Sequence, residues 1–387
     1  MRSALLRRWQ QLVTQARPPH ERAGVAQEVR WAFDHCCSPS SSSSSSSSPD
    51  STTRSQRDDL RRACLRLARG EPLGYALGST PFASLPHPLA IHPPVLIPRP
   101  ETEEWAARLA TALLSTHTHD TDIRILDIGT GSGCIAILLA HSLLQHGQPS
   151  SSIHVHATDI SPVALKLAQH NAYDRLHLSP AHIHFHHADL FDDTAMQTVF
   201  HAAFGNPSFI DEDGSKRRRR RRRRRIHLLV SNPPYITPAD YATSLPPSVA
   251  LFEDARALVG IHPRSALSLS LSSSSSSSSS SKNDTDETAG LTFYRRIAHL
   301  CAQHRSTLFP PSPSVSPRLP HIVLEVGHGQ AHAVSRIMAD ALDSFQSQDH
   351  VHTEIVPDAW GIDRVVQVTI TVTSTPTPSH PTAGEGS

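Results

Sequence analysis

Cysteine, lysine and long apolar runs are all scarce in this sequence, and each shortage removes a class of protein. The five cysteines are Cys36, Cys37, Cys64, Cys134 and Cys301. They are odd in number and form no C-x-x-C pair, which argues against a disulfide framework or a zinc ribbon and fits a reducing compartment. No apolar run approaches the roughly 18 residues a membrane span needs. Only three lysines occur among 36 basic residues, a bias that, with the serine runs, points to codon composition rather than chemistry. The apolar fraction is 38%, below the roughly 45–50% of an ordinary globular domain.

Three homopolymer runs that cannot build a core lower that value: Ser40–Ser48, Arg217–Arg225 and Ser272–Ser281. Outside them the composition is ordinary, so a folded protein interrupted by low-complexity inserts is expected. Setting the nine-arginine run aside leaves 27 basic against 35 acidic residues, a balance of −8. A mildly acidic body lacks the pervasive basic surface of a duplex-binding protein, and no direct nucleic-acid requirement is expected. The arginine run itself reads as an expansion in an exposed loop rather than an RNA-binding patch.

Residues 1–70 read as a small helical domain with a Ser-rich insert at 38–53. Its first twenty residues carry Arg2, Arg7, Arg8 and Arg17 and no acid. That is the pattern of a mitochondrial presequence and equally of an ordinary amphipathic first helix. Residues 71–98 read as a Pro/Gly-rich linker, with Phe82–Leu85 and Leu89–Ile91 as a candidate hairpin. From 99 to 372, strand and helix signals alternate, which predicts an α/β, mostly parallel, doubly wound sheet. Segments 192–225 and 261–289 read as disordered inserts in that frame, and 373–387 as a disordered tail.

Ligand sites in such a sheet lie at the carboxyl ends of the strands. There the sequence places Asp127-Ile128-Gly129-Thr130-Gly131-Ser132-Gly133 between a strand and a helix. The spacing is G-x-G-x-G, neither the dinucleotide fingerprint nor a P-loop, and no lysine follows, so a triphosphate is not expected. Asp127 adds negative charge that suits a cationic ligand. Asp159 closes the next strand, where an acid can accept hydrogen bonds from both hydroxyls of a ribose; it can equally cap the helix at Ser161. Asp189, followed by Leu190, closes the third, where an acid with apolar neighbours can hold an adenine.

The strongest signal is Asn232-Pro233-Pro234-Tyr235 after the apolar strand Leu228-Leu229-Val230. Two prolines stiffen the turn and remove two backbone donors. What remains is acceptors, the Asn232 side-chain oxygen and a proline carbonyl. Two fixed acceptors match an NH₂ group on an sp² carbon, whose lone pair is delocalised, and Tyr235 can pack on the flat face of such a group. His182, His184, His186 and His187 lack an acid or cysteine at ligand spacing, and no metal is expected.

The glycine turn and strand-end residues resemble class I methyltransferases that use S-adenosylmethionine, with a Rossmann-like fold. N-P-P-Y resembles their amino-methylating branch. Tyr75-x-Leu77-Gly78, Val95–Glu103 (V-L-I-P-R-P-E-T-E), Phe252-Glu253, Leu324-Glu325-Val326-Gly327 and Trp360-Gly361-Ile362-Asp363-Arg364 narrow the likeness to the HemK/PrmC family. That resemblance covers about residues 70–372 outside the inserts. It implies an enzyme that methylates the Gln of the Gly-Gly-Gln loop of a class 1 peptide-chain release factor. A monomer is expected, in the mitochondrion if the N-terminus is a presequence and otherwise in the cytoplasm. The resemblance also implies that Asp127, Gly129, Thr130, Gly131, Ser132, Gly133, Asp159, Asp189, Leu190 and Asn232 bind cofactor. Asn232, Pro233, Pro234 and Tyr235 would hold the glutamine amide.

Three positions depart from the family pattern. Leu190 stands where Trp is common, Trp360 where Tyr is common, and the segment between Asp189 and Asn232 is long. Two other readings stay open. Adenine shows the same NH₂ shape to N-P-P-Y, so an adenine-N6 methyltransferase on DNA or RNA is one. A non-catalytic cofactor-binding assembly factor is the other.

Overall fold

Three amphipathic helices open the chain: α1 (Arg2–Ala16), α2 (Val25–Cys37) and α3 (Arg54–Ala68). The computed structural model describes residues 2–37, 52–115, 121–145, 153–204, 224–261, 289–308, 319–343 and 350–371. Apolar residues at helical spacing bury Val13, Val25, Val29, Phe33, Leu60 and Leu67 in one small core, as an amphipathic face must. Thr53 starts α3 with a capping box, its hydroxyl accepting from Gln56 N while the Gln56 side chain accepts from Thr53 N. Arg17 is buried at the end of α1. It donates to the Leu67 carbonyl at 2.6 Å and pairs with Glu21 at 3.1 Å. The Arg-rich start is thus a packed helix whose Leu5, Leu6 and Trp9 lean on that core. The Ser-rich segment 38–51 lies outside the described residues.

A short antiparallel pair, Ser79–Thr80 with Leu89–Ala90, follows. The hairpin expected from Phe82–Leu85 does not form. Prolines at 81, 86 and 88 lack the N–H a ladder needs, and Phe82 serves the main core as a buried loop side chain.

Among the described residues, seven strands build the main sheet: β1 (Thr121–Ile128), β2 (Ile153–Asp159), β3 (Ile183–His187), β4 (Arg224–Ser231), β5 (Ile322–Glu325), β6 (His350–Pro357) and β7 (Asp363–Thr371). Their order is β3-β2-β1-β4-β5-β7-β6. The first five run parallel; β7 is antiparallel to β5 and β6 to β7. The pleat sends Ile123, Ile125, Leu228 and Val230 to one core and Leu126, Ile128 and Leu229 to the other. Helices α4 (Pro100–Ser115) and α5 (Cys134–Gln145) cover the first face; α7 (Asp193–Phe204), α8 (Thr292–Gln303) and α9 (Ala331–Asp343) cover the second, while α6 (Pro162–Gln169) follows β2. This is the α/β, mostly parallel, doubly wound, Rossmann-like architecture expected from the sequence.

The reading of 192–225 as an insert needs correction at both ends. Residues 193–204 form α7, which buries Met196, Val199, Phe200, Ala203 and Phe204 against the sheet. At the other end Arg224 and Arg225 begin β4, in register with Thr121 and Asp122. Residues 205–223, 262–288 and 372–387 lie outside the described residues, and with them most of the expected inserts and the tail. Strand β6 was not foreseen.

The histidines of β2 and β3 stack on one another. His156 Nδ1 lies 2.9 Å from His186 Nε2, and the His156 ring stacks on His184 at 4.8 Å. Burial, with His186, His184, His154 and Arg124 nearby, pushes His156 down to about 3. The folded state therefore binds fewer protons than the unfolded chain below the ordinary histidine value, and stability falls as pH drops below about 6.5. Urea midpoints measured from about pH 7 to about pH 5 should decline in the wild type and decline less in His156→Leu. Equal slopes would refute this assignment.

Candidate active site

The carboxyl ends of β1, β2 and β4 are tied together by hydrogen bonds. Gly129 N and Thr130 N both donate to Thr158 O, at 2.9 and 2.8 Å. Ser231 Oγ donates to Ile128 O at 2.7 Å. These bonds set the glycine turn between the end of β2 and the N-P-P-Y turn after β4.

Above them lies a pocket lined by Gly129, Gly131, Asp159, Asp189, Leu190 and Asn232, together with Pro233, Pro234 and Phe293. Gly129 and Gly131 have φ of +74° and +56°, and a Cβ on either would meet nothing within 4 Å. The turn therefore offers bare backbone and open space to a ligand, which is what glycine supplies. Asp159 lines the pocket beside the glycine turn. Its Oδ2 accepts from Gly131 N and its Oδ1 from Ser161 N, each at 2.8 Å. Burial raises its carboxyl, opposed by those two N–H groups. Each oxygen keeps a further lone pair for a hydroxyl. Both roles expected for Asp159, ligand acceptor and brace of the turn before α6, are thus compatible in one side chain.

Four expected residues stand beneath the turn rather than on the pocket wall. Asp127 is fully buried and accepts from Thr130 Oγ1 at 2.7 Å. Burial pushes its carboxyl up to about 7. Thr130 and Ser132 are buried as well. A Cβ at Gly133 would lie 2.8 Å from Ile137 Cδ1 and 3.0 Å from Ala168 Cβ, so this glycine lets α5 approach α6.

At the far end Leu190 meets an aromatic neighbour from another part of the chain. Phe293 lines the same wall and packs edge-on to Phe191, while Arg296 Nε donates to Leu190 O at 2.8 Å. Arg256, paired with Asp254, also faces this pocket. Neither Phe293 nor Arg256 carried a local signal in the sequence.

Asn232 and Pro233 form a shared wall. On their other side is a second pocket lined by Leu96, Arg99, Tyr235, Ile236, Val249 and Leu258. Arg99 pairs with the fully buried carboxylate of Glu253, which gives the Arg of the L-I-P-R-P string and the Glu of Phe252-Glu253 a common role. The turn between the pockets is held by glycines and one amide. Gln330 Nε2 donates to Tyr235 O at 2.9 Å and Ala289 O at 2.8 Å, and Gln330 Oε1 accepts from Gly327 N. A Cβ at Gly327 would lie 2.9 Å from Tyr235 Cδ2, and one at Gly260 the same distance from Pro234 O.

Behind the turn, Asn232 Nδ2 donates to Thr102 Oγ1 at 3.1 Å. Thr102 Oγ1 and Trp105 Nε1 donate to Glu325 Oε2 at 2.6 and 2.8 Å. Thr102 and Glu325 lie within strings that marked the family resemblance, yet nothing local in the sequence gave them a task.

Comparison with known proteins fits this arrangement. A family model described as a methyltransferase domain matches residues 119–204. The chain is 29% identical over 297 residues to the release factor glutamine methyltransferase of Bacillus cereus, covering 77% of this chain and 76% of that protein. It is 34% identical over 205 residues to the mitochondrial MRF1 N(5)-glutamine methyltransferase MTQ1 of Saccharomyces cerevisiae, covering 52% of this chain and 54% of that one. With the release factor glutamine methyltransferase of Chlorobaculum tepidum the identity is 35% over 208 residues, covering 54% and 59%.

Proposed function

We propose that the chain is a release factor glutamine methyltransferase that uses S-adenosylmethionine, like the relatives it resembles, and that it methylates the side-chain amide nitrogen of the Gly-Gly-Gln glutamine in a mitochondrial class 1 release factor. The single observation that carries this reading is the shared wall: Asn232 and Pro233 face both pockets at once.

S-adenosylmethionine fits the first pocket by the structure's own features, the bare glycine backbone and the carboxylate of Asp159 with free lone pairs. Gly129 and Gly131 would face its methionine portion, Asp159 its ribose, and Asp189, Leu190 and Phe293 its adenine. Bound there, it supplies a methyl group on a sulfonium, for which positioning matters most. The protein's task is to present the amide nitrogen.

Asn232 Oδ1 accepts from one N–H of the glutamine amide. A proline carbonyl of the turn accepts from the second N–H; Pro233 lines both pockets whereas Pro234 lines only the first, so the Pro233 carbonyl is the proposed acceptor. Holding both N–H groups favours pyramidal nitrogen and concentrates its lone pair toward the methyl group. Once methylated, the nitrogen is cationic and readily loses one of its two original hydrogens, so no strong general base is required. Tyr235 and the apolar side chains of the second pocket cover the amide face. The sequence relatives favour this substrate over adenine, and the mitochondrial partner follows the activity of the yeast relative.

Phe293 compensates for Leu190 in this account. Phe293→Ala should weaken cofactor binding by about 1 kcal/mol, roughly five- to tenfold in Kd, with kcat at saturating cofactor retained. Calorimetric titration checks this, and an unchanged Kd would remove Phe293 from the site. The partner is tested by labelled methyl transfer to purified mitochondrial and cytosolic class 1 factors side by side. Faster transfer to the mitochondrial factor is expected; preference for the cytosolic one would overturn that choice.

A further inference from the structure

We infer that Thr102 and Glu325 are positioning residues which fix the amide of Asn232 so that its oxygen, not its nitrogen, faces the substrate. The inference rests on the reading of Asn232 as the acceptor. It adds why Asn232 is held in that one orientation.

An asparagine amide is nearly symmetric in shape, and a turned-over Asn232 would present two donors to a group that also donates. Hydrogen-bond bookkeeping prevents the turn. A carboxylate only accepts, and Glu325 Oε2 accepts from both Thr102 Oγ1 and Trp105 Nε1. The threonine hydroxyl has one hydrogen, and Glu325 takes it. Toward Asn232, Thr102 therefore shows only lone pairs. It can accept from Nδ2, as it does at 3.1 Å, but it cannot donate to Oδ1. Turning the amide would set oxygen against oxygen.

Water cannot relieve that clash, because Thr102 and Glu325 are 2% and 1% exposed. A buried polar atom facing a like partner keeps its full desolvation cost. Thr102 sits in the first turn of α4 and Glu325 at the end of β5, far apart in sequence from each other and from Asn232. The relay thus spans three elements that meet behind the N-P-P-Y turn.

Four variants test it on transfer to a class 1 release factor. Thr102→Val removes the lone pairs; kcat should fall roughly ten- to hundredfold, with cofactor Kd little changed. Thr102→Ser keeps the hydroxyl and should restore most of the rate. Glu325→Leu removes the acceptor that takes the Thr102 hydrogen, frees that hydrogen for Asn232 and should likewise lower kcat. The double variant Asn232→Ala with Thr102→Val should be no slower than Asn232→Ala alone, because Thr102 acts only through Asn232. A purely structural role would lower folded fraction and cofactor binding together, and its effects would add. Wild-type kcat in Thr102→Val, or additive losses in the double variant, would overturn the relay. Absence of transfer by the wild type itself would instead overturn the acceptor reading beneath it, and the relay with it.

Discussion

Asn232→Ala is expected to lower kcat by roughly a hundred- to a thousandfold, the range seen when one preorganised polar contact to a transition state is lost. The side chain's oxygen is one of two acceptors that can hold the reacting amide. Its removal leaves Pro233 alone and lets the nitrogen stay planar and unreactive. Cofactor binding should largely survive, because the glycine turn, Asp159 and Phe293 are untouched. Single-turnover rates at saturating cofactor, beside a calorimetric Kd, separate the two effects. A variant that transfers methyl at the wild-type rate would sink the acceptor mechanism.

Gly290→Ala should be nearly as damaging although Gly290 lines neither pocket. Its φ is +69°, and an added Cβ would stand 2.3 Å from the Tyr235 carbonyl oxygen and 2.9 Å from Gln330 Nε2. Backbone cannot yield as a side-chain tip can, so the N-P-P-Y turn must move. A misplacement of about 1 Å can cost on the order of a hundredfold in rate. Gly24→Ala separates this from backbone strain alone. Gly24 has φ +84° with nothing within 4 Å of the added carbon, so that variant should lose about 1–2 kcal/mol of stability and keep its kcat. If both variants lose stability equally and Gly290→Ala keeps full kcat, the packing of the turn does not control the reaction.

Most of the first pocket's wall was legible because it is local. A strand followed by glycines, or ended by an acid, places its residues at the carboxyl edge of a parallel sheet without further information. Gly129, Gly131, Asp159, Asp189, Leu190 and Asn232 do meet at one pocket. Asp127, Thr130, Ser132 and Gly133 belong to the same string but support it from below. Sequence spacing does not separate these two groups, since both lie in one turn.

What was not legible depends on distant pairing. Strand β6 alternates exposed and half-buried residues at the sheet edge, with His350, His352 and Glu354 between its apolar positions, so it reads as loop. Helix α7 was hidden by the arginine run downstream, which made the whole interval look like an insert. Thr102, Glu325 and Phe293 reach the site from parts of the chain far removed from Asn232. The Phe82–Leu85 strand failed for a local reason that could have been weighed, the density of prolines around it.

The central claim is a methyl group placed on one amide nitrogen. The direct measurement is peptide mass spectrometry on a mitochondrial class 1 release factor after incubation with this protein and S-adenosylmethionine, beside the same factor with its Gly-Gly-Gln glutamine replaced. The account predicts one methyl group, on that glutamine, in the native factor only. Methyl transfer to another residue, to both factors alike, or to neither while the cofactor binds, would contradict it.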